Sequence, residues 1–244
     1  MGMTTRSARL LSAAILATSL AGCGKPTAAE VFEDNRDAAA QTQQQIETDL
    51  QPLDEVGERV GASVLDSCET GDRNWVSDAG FDVRCEVLIK RAYVLPAGDF
   101  RDAADTVNRA ATSSDCAVED TEAEKTLTNE WDKLKGTEDP YKGPYRPDDL
   151  PSYPLGCSTD DTRSAPDTLS TTPRLEARAW ATVPVEKGAL PLLDWKLREE
   201  CTSTPDSPCR WSGDTAEDVL KSQPEHGWLV FVWARADYAL TGAD

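Results

Sequence analysis

The sequence predicts an α+β fold: an antiparallel sheet of about four strands with helices on one face, preceded by a long N-terminal amphipathic helix and stabilised by disulfides. Three observations predict it. Segments with apolar residues at every second position occur at 82–95 and 174–185, and a strongly apolar run closes the chain at 228–238. Stripes of helical period, each behind a capping signal, lie between and before them. Six of the seven cysteines lie beyond residue 60, an even number suited to paired bridges.

Thr27 with Glu30 forms a capping box, so a helix should begin at Ala28. Phe32, Ala39, Ile46 and Leu53 then recur every seven residues, and Pro52 ends or kinks the helix. Residues 61–68 are read as a first strand. Over 82–95, Val83, Cys85, Val87 and Ile89 take one face and Arg84, Glu86 and Lys90 the other. The apolar phase slips at Lys90-Arg91, where a β-bulge is expected.

Asp99 should cap a helix whose stripe is Phe100, Ala103, Ala104, Val107 and Ala111. A further helix is predicted over 122–135, with Leu127, Trp131 and Leu134 on its buried side and Gly136 ending it. Residues 136–173 hold seven of the fifteen prolines and the tyrosines Tyr141, Tyr145 and Tyr153, and read as an extended connection. In the strand at 174–185, Trp180 falls on the polar face. A short helix at 215–221 should be capped by Asp214. The segment 228–238 is apolar on both faces at its start and suits a central strand.

The N-terminus carries an address. Arg6 and Arg9 precede the apolar run 10–20, which ends in Leu20-Ala21-Gly22-Cys23. This junction resembles the lipobox of bacterial lipoproteins. The resemblance covers residues 1–24 alone. It implies a signal peptide over 1–22 and a diacylglyceryl group on the Cys23 thiol. The chain would then lie on the extracytoplasmic side of the cell membrane, with the lipid bilayer as a partner. The apolar run is shorter than the roughly 20 residues of a spanning helix. Residues 23–27 form the tether, reaching about 14 Å when extended. The body over 28–244 is expected as one α+β domain, or as halves at 28–135 and 174–244.

Setting Cys23 aside leaves Cys68, Cys85, Cys116, Cys157, Cys201 and Cys209, which read as three disulfides in an oxidising compartment. Local closure favours Cys68–Cys85, Cys116–Cys157 and Cys201–Cys209. No Cys-x-x-Cys pair occurs and His226 is the only histidine, so the usual zinc-ligand spacings are missing.

The chain has 44 acidic against 25 basic residues, a formal charge of −19. Such a surface disfavours nucleic acid, whose phosphates need Lys and Arg. His226 has no Gly-x-Ser-x-Gly elbow beside it, and no phosphate-binding glycine loop or His-Glu-x-x-His motif occurs. The acid pairs Asp148-Asp149, Asp160-Asp161 and Glu199-Glu200 are what a chain so rich in acids produces by chance. No cofactor, catalytic residue or metal ligand is assigned. The sequence therefore reads as a non-enzymatic membrane-anchored envelope lipoprotein that binds or scaffolds, with an envelope protein or glycan as ligand. The alternative is an envelope glycan or peptide hydrolase using acidic residues.

Overall fold

A computed structural model describes residues 25–71, 79–112, 121–137, 141–142, 150–155, 176–185, 191–205, 207–222 and 227–242; at 112, 121–123, 154 and 176–184 it describes the backbone alone. The fold is α+β. Helices α1 (Ala28–Asp34) and α2 (Arg36–Asp49) lead through a 3₁₀ turn (Gln51–Glu55) into strands β1 (Glu58–Thr70) and β2 (Val83–Leu95). Next come α3 (Phe100–Thr112) and α4 (Thr121–Thr126), the latter running into a π-helical stretch, Leu127–Asp132. Then follow β3 (Tyr153–Pro154), β4 (Glu176–Pro184) and α5 (Pro191–Leu193), which continues as a π-helical stretch, Asp194–Glu199. Strand β5 (Cys209–Gly213), helix α6 (Ala216–Ser222) and strand β6 (Trp228–Thr241) complete the chain.

All strand pairs are antiparallel, in the order β3-β4-β6-β2-β1-β5. Four long strands make the body of the sheet, and the short β3 and β5 close its edges. As its apolar start predicts, β6 is central: it pairs with β2 along 13 residue pairs and with β4 on its other side.

The first helix begins at the predicted capping box, with the Glu30 carboxylate accepting from the Thr27 amide and the Thr27 hydroxyl accepting from the Glu30 amide. Asn35 breaks the helix and starts α2. Phe32, Ile46, Leu50 and Leu53 are each 1% exposed, because this face lies on β1, β2 and β6. Asp99 caps α3 as expected, accepting from the Asp102 amide at 3.1 Å. The cap of α6 is Thr215 rather than Asp214. The Thr215 hydroxyl accepts from the Asp218 amide and the Asp218 carboxylate accepts from the Thr215 amide, while the Asp214 amide bonds back to the Val60 carbonyl.

The expected bulge at Lys90-Arg91 is absent: β2 keeps its phase from Val83 to Leu95. Arg91 stays on the helix-facing side and is 5% exposed. Its guanidinium donates to the Leu50 carbonyl at 2.9 Å and the Glu47 carbonyl at 3.3 Å, at the C-terminal end of α2. A cation there meets carbonyls that the helix itself leaves unpaired. The register does shift at Val60 of β1, Trp180 of β4 and Tyr238 of β6, each the extra residue of its pair.

The main core joins Ala39, Ile46, Leu50 and Leu53 to Phe100, Trp131, Tyr153 and Trp228. Phe100 meets the other three rings in tilted or edge-on contacts at centroid distances of 4.8, 6.3 and 6.2 Å. Tyr153 and Tyr141 are therefore core residues, at 0% and 8% exposure, and not ligand-facing aromatics. Two of the expected disulfides are present, Cys68–Cys85 between β1 and β2 and Cys201–Cys209 beside β5. Cys23, Cys116, Cys157, His226 and Tyr145 lie outside the described residues, as does the Trp180 side chain.

Candidate functional site

Residues alternate across a strand, so the positions left over by the helix-facing set define the second face of the sheet. On β2 these are Glu86, Leu88 and Lys90; on β6 they are Phe231, Trp233 and Arg235. The register sets Leu88 opposite Arg235 and Lys90 opposite Trp233. The helical segment 191–199 covers part of this face: a side chain added at Gly61 of β1 would meet Leu197 and Leu193. Beside that segment the face stays open among the described residues and forms a pocket of about 260 Å³. Leu88, Phe231 and Trp233 form its apolar floor, and Glu86, Lys90, Lys196 and Arg235 its charged rim.

The lysines are tied to the segment that carries one of them. Glu200 accepts from Lys90 at 2.5 Å and from Lys196 at 2.7 Å. Burial alone would raise the Glu200 pKa, but the bonds from Lys196 and Lys90 outweigh it and hold the carboxyl below its ordinary range. The Lys196 ammonium also lies 3.7 Å from the centre of the Trp195 ring. The segment is π-helical, a geometry frequent at functional sites.

Glu86 is the opposite case. Burial pushes its pKa up, with Arg84 and Arg235 pulling it down and Asp237 and Glu69 adding to the rise. Among the described residues its Oε2 has no hydrogen-bond partner; the nearest cation is Arg84, at 3.7 Å. Glu86 and Asp237 are cross-strand neighbours held around that same Arg84. They therefore sit side by side on this face, sharing that arginine.

A row of side chains crosses this face. Trp233, Lys90, Ser63 and Trp211 are successive register partners on β6, β2, β1 and β5. Trp211 is 40% exposed and Trp195 45%, and Arg198 stands 5.4 Å from the Trp211 ring centre. Three tryptophans, Trp195 on the 191–199 segment and Trp211 and Trp233 on the strands, each have a cation over the ring.

A polar cluster lies on the other face near the β1–β2 hairpin end. The Tyr238 hydroxyl donates to Asp66 at 2.7 Å and lies 3.5 Å from the Cys68 sulfur. Burial raises the Asp66 pKa against the lowering effect of that bond and of Arg36 and Arg210. Burial and Asp66 push the Tyr238 hydroxyl far above the ordinary phenol value.

Of the acid pairs singled out from sequence, Glu199-Glu200 is described: Glu199 is exposed and Glu200 binds the two lysines. Asp148-Asp149 and Asp160-Asp161 lie outside the described residues. Among the described residues no three His, Cys, Asp or Glu side chains converge on a metal-sized site. The sequence placed Glu86 and Lys90 on one face of their strand. It carried no signal that β6 would set Trp233 and Arg235 beside them. No family model, no curated protein and no solved structure matches this chain.

Proposed function

We propose that this chain is a lipid-anchored binding protein of the outer face of the cell membrane, and that its ligand sits on the open sheet face over β2 and β6. The observation that carries the binding half is the pocket. It joins an apolar floor of Leu88, Phe231 and Trp233 to a rim of convergent charged groups, the usual make-up of a small-molecule site. Glu200 is held ionised between two lysines, and Glu86 shares Arg84 with Asp237, so these acids order the face. The anchoring half is supported by the Leu20-Ala21-Gly22-Cys23 junction. It is also supported by the capped helix at Ala28, which packs on the sheet and leaves only a short tether before it.

Metabolic labelling with a tagged fatty acid tests the anchor. The wild-type chain should be labelled and fractionate with membranes. Cys23→Ala should lose the label and processing at this position. Labelling, processing and membrane retention unchanged in Cys23→Ala would refute the anchor.

A further inference from the structure

We infer that the open face binds one uncharged sugar ring, stacked on Trp233 with its hydroxyls shared between Glu86 and Arg235. This rests on the binding reading above and names the ligand class. Four observations meet at the site. First, the floor is apolar and belongs to a sheet, whose side chains stand roughly perpendicular to it and offer a plate rather than a deep hole. Second, Trp233 is only partly buried, with the Arg235 guanidinium over one side of its ring at 5.6 Å from the centre. Third, the rim offers both hydrogen-bond signs. Glu86 contributes a carboxylate to the lining, while Arg235, Lys90 and Lys196 contribute cationic donors. Fourth, the volume of about 260 Å³ lies just under the roughly 300–1,000 Å³ of drug-sized sites, enough for a single ring.

Charge and topology weigh between ligand classes. A fatty acid would fill the apolar floor, but its carboxylate would enter beside the Glu86 carboxylate, at a rim whose Lys90 and Lys196 already share Glu200. A peptide strand would add to a free sheet edge, whereas this surface is the face of two interior strands whose backbones are paired on both sides. A sugar ring satisfies both parts of the surface. Its axial C–H groups cover an aromatic plate, and its hydroxyls both donate to a carboxylate and accept from a guanidinium.

The test uses the full-length lipidated chain in a detergent without a sugar headgroup, titrated calorimetrically. The probes are triacetylchitotriose, maltotriose and mannotriose, with decanoate and trialanine as comparisons. At least one saccharide should saturate. Trp233→Ala should then weaken it about tenfold or more, a change equivalent to about 1.4 kcal/mol. Trp233→Phe should keep most of the affinity and preserves the test if the alanine variant fails to fold. Glu86→Ala should weaken the same saccharide, and Trp211→Ala should leave it unchanged. Saturation by decanoate or trialanine and by no saccharide overturns the sugar assignment while leaving a binding protein. Saccharide binding indifferent to both Trp233 variants overturns the site.

Discussion

Arg91 shows why a single residue can mislead a reading by pattern. A cation inside an apolar stripe interrupts the alternation, yet the backbone runs on without a slip. Its charge is spent on the last carbonyls of α2, on Asp54 at 3.6 Å and on the Tyr93 hydroxyl at 3.4 Å. Those partners are distant in sequence, so no local pattern announces them. Arg91→Met fits the space but strands the carbonyls, and should cost about 1–3 kcal/mol in chemical denaturation. Arg91→Lys should recover only part, since a single ammonium nitrogen lacks the rigid pair of nitrogens that reach the two carbonyls separately. A methionine variant as stable as wild type would remove this account of the helix end.

Glu86 and Glu200 give opposite pH signatures. The folded state raises the Glu86 pKa, so its charge costs stability above that raised value, and the cost fades as pH falls through it. Glu86→Gln should therefore stabilise at neutral pH and converge with wild type below about 4.3. The folded state lowers the Glu200 pKa, so its contribution is present above about 4.3 and is lost as pH falls through the lower folded value. Glu200→Gln should destabilise at neutral pH, and that deficit should shrink in acid. Melting temperatures of both variants between pH 3 and 8 check the pair; curves of the same sign would contradict the assignment.

At the scale of elements, alternation and capping were legible because both are local. The capping box at Thr27, the Asp99 cap and the long strands follow from spacing that any short window of the chain displays. Partner choice is not local: nothing within 228–241 states that β6 inserts between β2 and β4. The π-helical stretches were illegible for a related reason, since their widened turns answer to packing more than to propensity. The N-terminal helices carry a large share of the core through few residues. Phe32→Ala should cost about 3–5 kcal/mol and Ile46→Ala about 2–5 kcal/mol, because each leaves a cavity against the sheet. Thermal melts unchanged by both would make these helices a free stalk.

For the whole molecule, the sheet order binds the chain's two ends into one unit. The two strands from before the proline-rich connection, β2 and β1, lie between strands from after it, with β6 and β4 on one side and β5 on the other. Unfolding the N-terminal strands would expose the apolar face of β6, so neither half keeps a covered core alone. Calorimetry should record one cooperative transition with equal calorimetric and van't Hoff enthalpies; two resolved transitions would separate the halves. The contact between Lys25 and Asp82, at 2.6 Å, has a geometric consequence for the proposed anchor. It brings residue 25 to the hairpin end of the sheet, and the two residues back to Cys23 span at most about 7 Å. With a lipid on Cys23, that end stands on the bilayer and the strands rise from it like posts. Seven residues of β2 separate Val83 from Lys90, which sets the Trp233 pocket up to about 24 Å above the headgroups. A fluorophore at Thr70, exposed at the same end of the sheet, should be quenched by headgroup-labelled lipid, and one at Trp211 should not.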